Sequence, residues 1–403
     1  MSHPSSGSLL VTGATGFLGG AVISALVTQP RWPTVLLLVR GKTPAEGRQR
    51  IVESLRRFAV PEHLCDLVQE SQIICGDLCS VPSFADDARL SGVTDVVNCA
   101  AIAGFGAPKT LWPTNVDGTL AFAKLLNERA SLRRFLHVGT AMACGLPAPH
   151  VVSEAYQAPA DAAHLVPYTE SKIECEKRLR AELPDLPLVV ARPSIIVGDT
   201  RYGCAPSPSI FWVFRMARAL GKFTCSLEDK VDIVPADYCA EAILHLLDKP
   251  QLAHDQYHIS AGEHLSVRYR DIDAAIAAGL GQPPTSDYEP VEYADLAARH
   301  REFQALFGPC IVPVMLRAIE LYGEYASLNM CFANDRLLAE GMPPPRRFTD
   351  YAGLCARTAE GTTIAEQMQY DFKGISTRAA NALRGMLRSS QPGPAETARK
   401  AAA

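Results

Sequence analysis

No stretch of this sequence approaches the ~20 consecutive apolar residues that cross a bilayer as a helix. The most apolar runs, Val35 to Val39 and Leu188 to Ala191, are only strand-length. Met1 to Ser8 is short and polar and leads straight into a β-type run, so it lacks the charged and apolar segments of a secretory leader. The expectation is a soluble, cytoplasmic protein. Positive charge is scarce too: a formal net charge of -4, with 20% charged residues, gives no polycationic surface, and nucleic acid is not an expected partner. The 12 cysteines show neither paired CxxC spacing nor a His/Cys cluster at metal-ligand intervals, in a chain too long to depend on disulfide staples. Reduced thiols and no metal are expected. No internal repeat is present, and the sequence is silent on oligomeric state.

What the chain does have is a hydrophobic content of 48% over 403 residues, enough for a large core and an attached substrate-binding region. Short β-rich runs alternate with longer amphipathic segments: Ser8 to Thr12, a helix to about Val27, Thr34 to Val39, a helix through Leu55, Gln72 to Cys75, Asp95 to Cys99. Phe135 to Gly139, a helix over Tyr168 to Leu183, and Leu188 to Ala191 continue the series. That alternation predicts an α/β fold, a Rossmann-type doubly wound parallel sheet with crossover helices. The pattern breaks into Gly, Pro and Ser around an aromatic helix, Ile210 to Leu220, read as a cap over about 199–230, before strand character resumes at Val231 to Val234 and Tyr257 to Ser260. The expected division is a nucleotide-binding domain over 1–282, a smaller and mostly helical substrate-binding region over 283–388, and a disordered tail over 389–403.

Between the first strand and the first helix lies Gly13-Ala14-Thr15-Gly16-Phe17-Leu18-Gly19. In this strand–turn–helix context Gly13 permits a tight turn, Gly16 lets backbone approach a pyrophosphate, and Gly19 allows close helix packing, while the helix N-terminus offers unpaired N–H groups. Thr15, Phe17 and Leu18 belong to the same candidate cofactor loop. An acidic residue commonly ends the second strand when the cofactor lacks a 2′-phosphate. Here that place holds Arg40 and Lys42, whose charges suit a phosphate, so NADP(H) is the expected cofactor.

Tyr168 and Lys172 stand four residues apart at the start of a helix, hence on one face about a turn apart. A phenol next to a cation that stabilises phenolate becomes a better proton donor and acceptor near neutral pH. Thr140, ending a strand, and Asn115, opening a helix, belong at the carboxyl ends of the sheet, where open α/β sheets bind ligands. Thr140 can hydrogen-bond a substrate carbonyl. For Asn115 a helix-capping role competes with a catalytic one.

Through Thr12 to Gly19, Gly76-Asp77-Leu78, Asn98-Cys99-Ala100-Ala101, Tyr168 with Lys172, and Arg192-Pro193-Ser194, the chain resembles the extended short-chain dehydrogenase/reductases, from residue 8 to about 275. The resemblance implies that Asp77, with Leu78, meets the adenine and that Cys99, Ala100 and Ala101 line the cofactor. It also implies that Lys172 binds the nicotinamide ribose and that Pro193 and Ser194 flank the carboxamide. The family's usual catalytic serine is Thr140 here, which keeps the hydroxyl and adds a methyl group.

Leu36 to Arg40 followed by Pro44 to Phe58, Asn98 to Phe105, His137 to Ala141, Arg192 to Asp199, and Val231 to Tyr238 look more closely like one branch. It is the male-sterility-like branch of fatty acyl-CoA reductases and thioester reductase domains of carrier-protein assembly lines. The resemblance implies NADPH-dependent reduction of an acyl thioester, carried by coenzyme A or a carrier protein, to aldehyde, with a second reduction to alcohol left open. The acyl donor would be a separate molecule. The aromatic helix with Phe211, Trp212 and Phe214 is open to two readings, an acyl-binding groove or plain core. Two rival functions also stay open: an NADP(H)-dependent dehydrogenase acting on a ketone, hydroxyl or nucleotide sugar, and a non-enzymatic NADP(H)-sensing protein. An intact Tyr168 and Lys172 pair argues against the sensor, which needs the glycines but not the proton donor.

Overall fold

The computed structural model describes residues 7–103 and 108–373. The expected tail, the end of the helical region, and Gly104 and Phe105 lie outside these residues. Seven strands form the central sheet: β1 (Ser8–Thr12), β2 (Val35–Val39), β3 (Ile73–Cys75), β4 (Val93–Asn98), β5 (Arg134–Val138), β6 (Leu188–Pro193) and β7 (Gln256–Ile259). Their spatial order is β7-β6-β5-β4-β1-β2-β3, and every pairing in the sheet is parallel. This is the expected doubly wound Rossmann-type sheet. It has its topological switch between β1 and β4, where ligands bind beyond the carboxyl ends of the strands.

Both faces are buried, so the strands read as continuous apolar runs. Leu9 and Val11 point to one side with Val35, Leu37 and Val39, against α1 (Phe17–Leu26), α2 (Pro44–Arg57) and the later α6 (Ala236–Asp248). Leu10, Leu36 and Leu38 point to the other side, against α3 (Thr119–Arg129) and α4 (Pro167–Glu182). α2 starts where Thr43 caps Glu46 N–H with Pro44 at the first position, and α4 likewise starts with Pro167 in its first turn.

The expected strand Val231 to Val234 is two strands. Lys230–Val231 runs antiparallel to Val267–Arg268, and Ile233–Val234 runs parallel to Ile195–Ile196. The break is Asp232, whose buried carboxylate accepts from Ala261 N–H at 2.8 Å and Phe332 N–H at 3.0 Å. An apolar-run reading has no way to register such a tie.

Beyond residue 199 the polypeptide builds a second layer. α5 (Phe211–Leu220) is two-faced: Trp212, Met216 and Leu220 pack with Phe303, Phe307 and Ile319, while Phe211 and Phe214 pack with Phe348 and Ile276. Phe211 and Trp212 are fully buried, with Trp212 edge-on to Tyr322 at 4.9 Å, so of the two readings of this helix the core is the one observed. α7 (Tyr269–Leu280) crosses α9 (Thr349–Thr358) so closely that a Cβ on Gly279 would lie 2.3 Å from Gly353 Cα. α8 (Val312–Ala326) and α10 (Ile364–Lys373) complete the layer. Between them Cys331–Phe332 pairs with Val151–Val152 in a separate two-stranded sheet, and the chain returns to the edge of the central sheet where buried Glu340 accepts from Lys249, Tyr257 Oη and Ala253 N–H at 2.5, 2.7 and 2.7 Å.

Among the described residues no single helix is long and apolar enough to cross a membrane. The one consecutive pair with enough apolar length, His300–Phe307 and Val312–Ala326, is bent by 92°. Its Phe303, Phe307, Met315 and Ile319 are core side chains.

Candidate active site and nucleotide cradle

β1 delivers its chain into a turn only glycine fits. Gly13 has φ +71°, and a Cβ there would lie 2.6 Å from Ala100 N; a Cβ on Gly19 would lie 2.2 Å from Gly13 O. Gly16 precedes α1 and carries no capping side chain, so the first N–H groups of the helix face outward over a first turn without acidic residues. Ser54 Oγ and Arg57 Nη2 fasten the turn from α2, donating to Ala14 O at 3.0 Å and Thr15 O at 2.7 Å. Phe17 stacks on Phe58 at 6.2 Å, and Leu18 packs on the same core, so those side chains support the loop while its backbone faces the cleft. This side-chain-free concavity over a helix N-terminus fits a pyrophosphate.

At the end of β2, Arg40 and Lys42 are exposed. Arg50 of α2 donates to the Arg40 carbonyl, which brings a second guanidinium to this corner that sequence reading did not single out. Asp77 accepts from Cys79 N–H at 3.0 Å and so shapes the turn after β3, while the Leu78 side chain goes into the core. Cys99, Ala100 and Ala101 are half-buried beside Gly13, and Pro193 and Ser194 close β6, with Ser194 N–H donating to Ile259 O at 3.0 Å.

Thr140 follows β5 and is 8% exposed, its hydroxyl accepting from Met142 N–H at 3.4 Å. The short turn it opens, Ala141–Cys144, packs against α4. Tyr168 and Lys172 occupy the first turns of that helix, and Lys172 is 3% exposed. The expectation of a phenol acidified by its neighbouring ammonium is not met. Burial pushes the Tyr168 phenol up, to about 12, and burial also lowers Lys172. Desolvation disfavours both charged forms, and here it governs each group.

Asn115 lies in a wide π-type turn, Pro113–Gly118, that leads into α3. It caps no helix. Its Oδ1 accepts from Ile102 N–H at 2.8 Å, and its Nδ2 donates to Ile102 O and Ser171 Oγ, both at 3.0 Å. The amide therefore brackets the loop after β4 to α4, at a position between Tyr168 and Lys172 in sequence.

Beneath the site runs a polar chain that the strand pattern hinted at only as single polar residues among apolar ones. Ala100 N–H donates to Thr12 Oγ1 at 3.1 Å, Thr12 donates to Asn98 Oδ1 at 2.5 Å, and Asn98 Nδ2 approaches His137 Nδ1 at 3.1 Å. Since Nδ1 accepts, the proton of the neutral ring sits on Nε2, which is buried and has no hydrogen-bond partner among the described residues. Burial, with Lys172 and Arg192 nearby, holds His137 well below the usual imidazole range. Next to it, Arg192 and Glu176 form a buried ion pair at 2.5 Å, pressed so close to Gly139 that a Cβ there would lie 2.3 Å from Glu176 Oε1. Among the described residues no group of three or more metal-ligating side chains occurs.

The sequence profile of the male sterility protein family, an NAD-binding domain, matches residues 11–243, more than half of the chain. A putative fatty acyl-CoA reductase, CG8303 of Drosophila melanogaster, is 25% identical over 368 residues, covering 78% of this chain and 66% of that protein. The nonribosomal peptide synthetase asaC of Aspergillus flavus is 25% identical over 357 residues, covering 81% of this chain and 34% of that protein. The chain thus spans less than two thirds of the length of these relatives. Among solved structures, the terminal R domain of the myxalamid PKS-NRPS pathway superimposes with a TM-score of 0.71 at 21% identity, covering 89% of this chain and 92% of that one. The reductase domain of a nonribosomal peptide synthetase from Mycobacterium tuberculosis gives 0.67 at 21% identity, covering 90% and 94%. At such identity the likeness speaks to the fold.

Proposed function

The chain belongs to the male sterility protein family of NAD-binding domains, and from that premise we propose that it is an NADPH-dependent reductase of acyl thioesters. The observation that carries the reading is a chain of contacts from the catalytic candidates to the cradle: the Thr140 turn and the Pro113–Gly118 turn both pack on α4, and Asn115 of the second turn binds the loop after β4, whose Cys99 and Ala100 abut Gly13. The thioester substrate draws its support from the relatives named as fatty acyl-CoA reductase and peptide synthetase. Preference for NADPH is supported by Arg40, Lys42 and Arg50 at the end of β2, with no acidic residue terminating that strand.

In this reading the glycine loop holds the pyrophosphate, the basic corner holds the 2′-phosphate, Lys172 holds the nicotinamide ribose, and Pro193 and Ser194 border the carboxamide. The bound cofactor supplies a hydride to the thioester carbonyl carbon. Thr140 and Tyr168 donate hydrogen bonds to the carbonyl oxygen as charge develops on it, and Tyr168 transfers its proton. A phenol kept near 12 is protonated at neutral pH, the form a proton donor requires. Lys172 then offsets the charge left on the phenolate. Tyr168 takes back the hydroxyl proton as the adduct's C–S bond breaks, releasing aldehyde and a thiolate that takes its proton from solvent. Asn115 acts as a positioning residue by locking α4 to the loop after β4.

The test is NADPH oxidation measured with acyl thioesters, on coenzyme A and on a carrier protein, beside matched aldehydes, ketones and nucleotide sugars, with free thiol assayed in parallel. Thioester-dependent oxidation with stoichiometric thiol is the expected result. Turnover of aldehydes alone would confine the enzyme to the second reduction, and turnover of a ketone or sugar alone would overturn the thioester reading while leaving the cofactor site standing.

A further inference from the structure

A cavity of about 440 Å³ lies along the edge of the sheet at β7, lined in part by Glu176, Lys177 and Arg180 of α4 and by none of the residues assigned to the nucleotide cradle. Its walls carry four fixed cations, Lys177 and Arg180 from α4, Arg192 from β6, and Arg336. Two of them are spoken for. Arg180 pairs with Asp255, and Arg192 pairs with Glu176. Lys177 and Arg336 have no carboxylate within ion-pair distance among the described residues, and Arg336 Nη1 reaches only the carbonyl of Gln256, at 3.2 Å.

Arg192 is the informative group. It lines the cavity at 7% exposure, its Nε and Nη2 both go to Glu176, and its Nη1 has no protein partner among the described residues. An arginine held this rigidly, with one face of its fork unspent, is preorganised for an oxyanion. The remaining wall carboxyl, Glu154, does not cancel these charges. Its two oxygens accept backbone N–H bonds from His258 at 2.9 Å and Arg336 at 2.7 Å, and burial raises it to about 7, so it is partly neutral near neutral pH.

We propose that this cavity is a second binding site, for a polar organic molecule bearing a carboxylate or phosphate, with Arg192 Nη1, Arg336 and Lys177 as its anion-binding groups. The volume exceeds what a bare oxyanion fills, and the polar lining, with Gln157 and Gln256 beside the charges, suits a hydrophilic body over an acyl chain. The inference rests on this cavity alone and is independent of the reductase reading.

Sulfate, dianionic across the working pH range, is a sufficient probe. Calorimetric titration of the full chain with sodium sulfate, against sodium chloride at matched ionic strength, is expected to show saturable binding that persists with NADPH bound. The double variant Lys177→Ala and Arg336→Ala, altered at one exposed and one half-buried position, is expected to weaken it by at least about tenfold. NADPH affinity should be unchanged, which also reports that the variant is folded. Absence of saturable binding, equal binding by the double variant, or displacement of sulfate by NADPH would each overturn the proposal, the last by assigning the anion to the corner at Arg40.

Discussion

On the proposed mechanism Tyr168 and Lys172 carry separable duties. Tyr168→Phe removes the proton donor alone, so kcat should fall about 10²- to 10⁴-fold with NADPH affinity nearly intact, measured by steady-state kinetics beside fluorescence titration of the cofactor. Lys172→Ala should weaken both, because the same ammonium is assigned to the ribose. Full activity in Tyr168→Phe would remove the phenol from the mechanism. At the basic corner, Arg40→Ala should shrink the preference for NADPH over NADH by about ten- to a hundredfold, the worth of one charge-assisted phosphate contact. Equal affinity of the unaltered protein for the two cofactors would end that assignment. Arg50 extends the argument, since its side chain already reaches the Arg40 carbonyl and stands ready to share the load.

The return of the chain to the sheet through Glu340 sets the stability of the element that bears it. Glu340 is 6% exposed, and although burial alone would raise its carboxyl, the hydrogen bonds it accepts from Lys249, Tyr257 and Ala253 outweigh that and hold it down to about 2. A carboxyl depressed in the folded state contributes stability that is present above its unfolded value and lost as pH falls toward its folded one. Glu340→Gln should therefore cost on the order of 2–3 kcal/mol at pH 7, with the gap to the unaltered protein narrowing as pH drops from about 4.5 toward 3. Urea titrations at pH 7 and pH 3 measure it, and a gap that stays constant would contradict the ion-pair account. The elements themselves were largely legible. β1, β2 and β5 to β7 fall within a residue or two of where apolar runs predict them, because a parallel sheet buries both faces and leaves no ambiguity of phase. What was not legible is what long-range ties decide. Asp232 splits an apolar run by bonding to residues 29 and 100 positions away. Likewise, nothing local reveals that Asn115 spends its amide on Ile102 and Ser171 rather than on a helix end, or that burial raises the Tyr168 phenol.

Over the whole molecule, α5 is shared by two clusters, and α7 meets α9 backbone to backbone, so the layers beyond the sheet depend on segments on both sides of residue 282. A fragment ending at residue 282 would expose Trp212, Met216, Phe223, Phe211 and Phe214 together, and it should be insoluble or molten by size-exclusion chromatography and near-UV circular dichroism. A monomeric fragment with sharp near-UV signal would show that the later helices are dispensable. The polar chain under the cradle has a different kind of consequence. It spans three central strands and ends in one imidazole N–H that is fully buried and lies near Lys172. That proton is a built-in spectroscopic reporter. It should exchange slowly with solvent, give a nitrogen-coupled resonance that stays flat from pH 5 to 8, and shift on cofactor binding, so one nucleus tells the liganded molecule from the empty one.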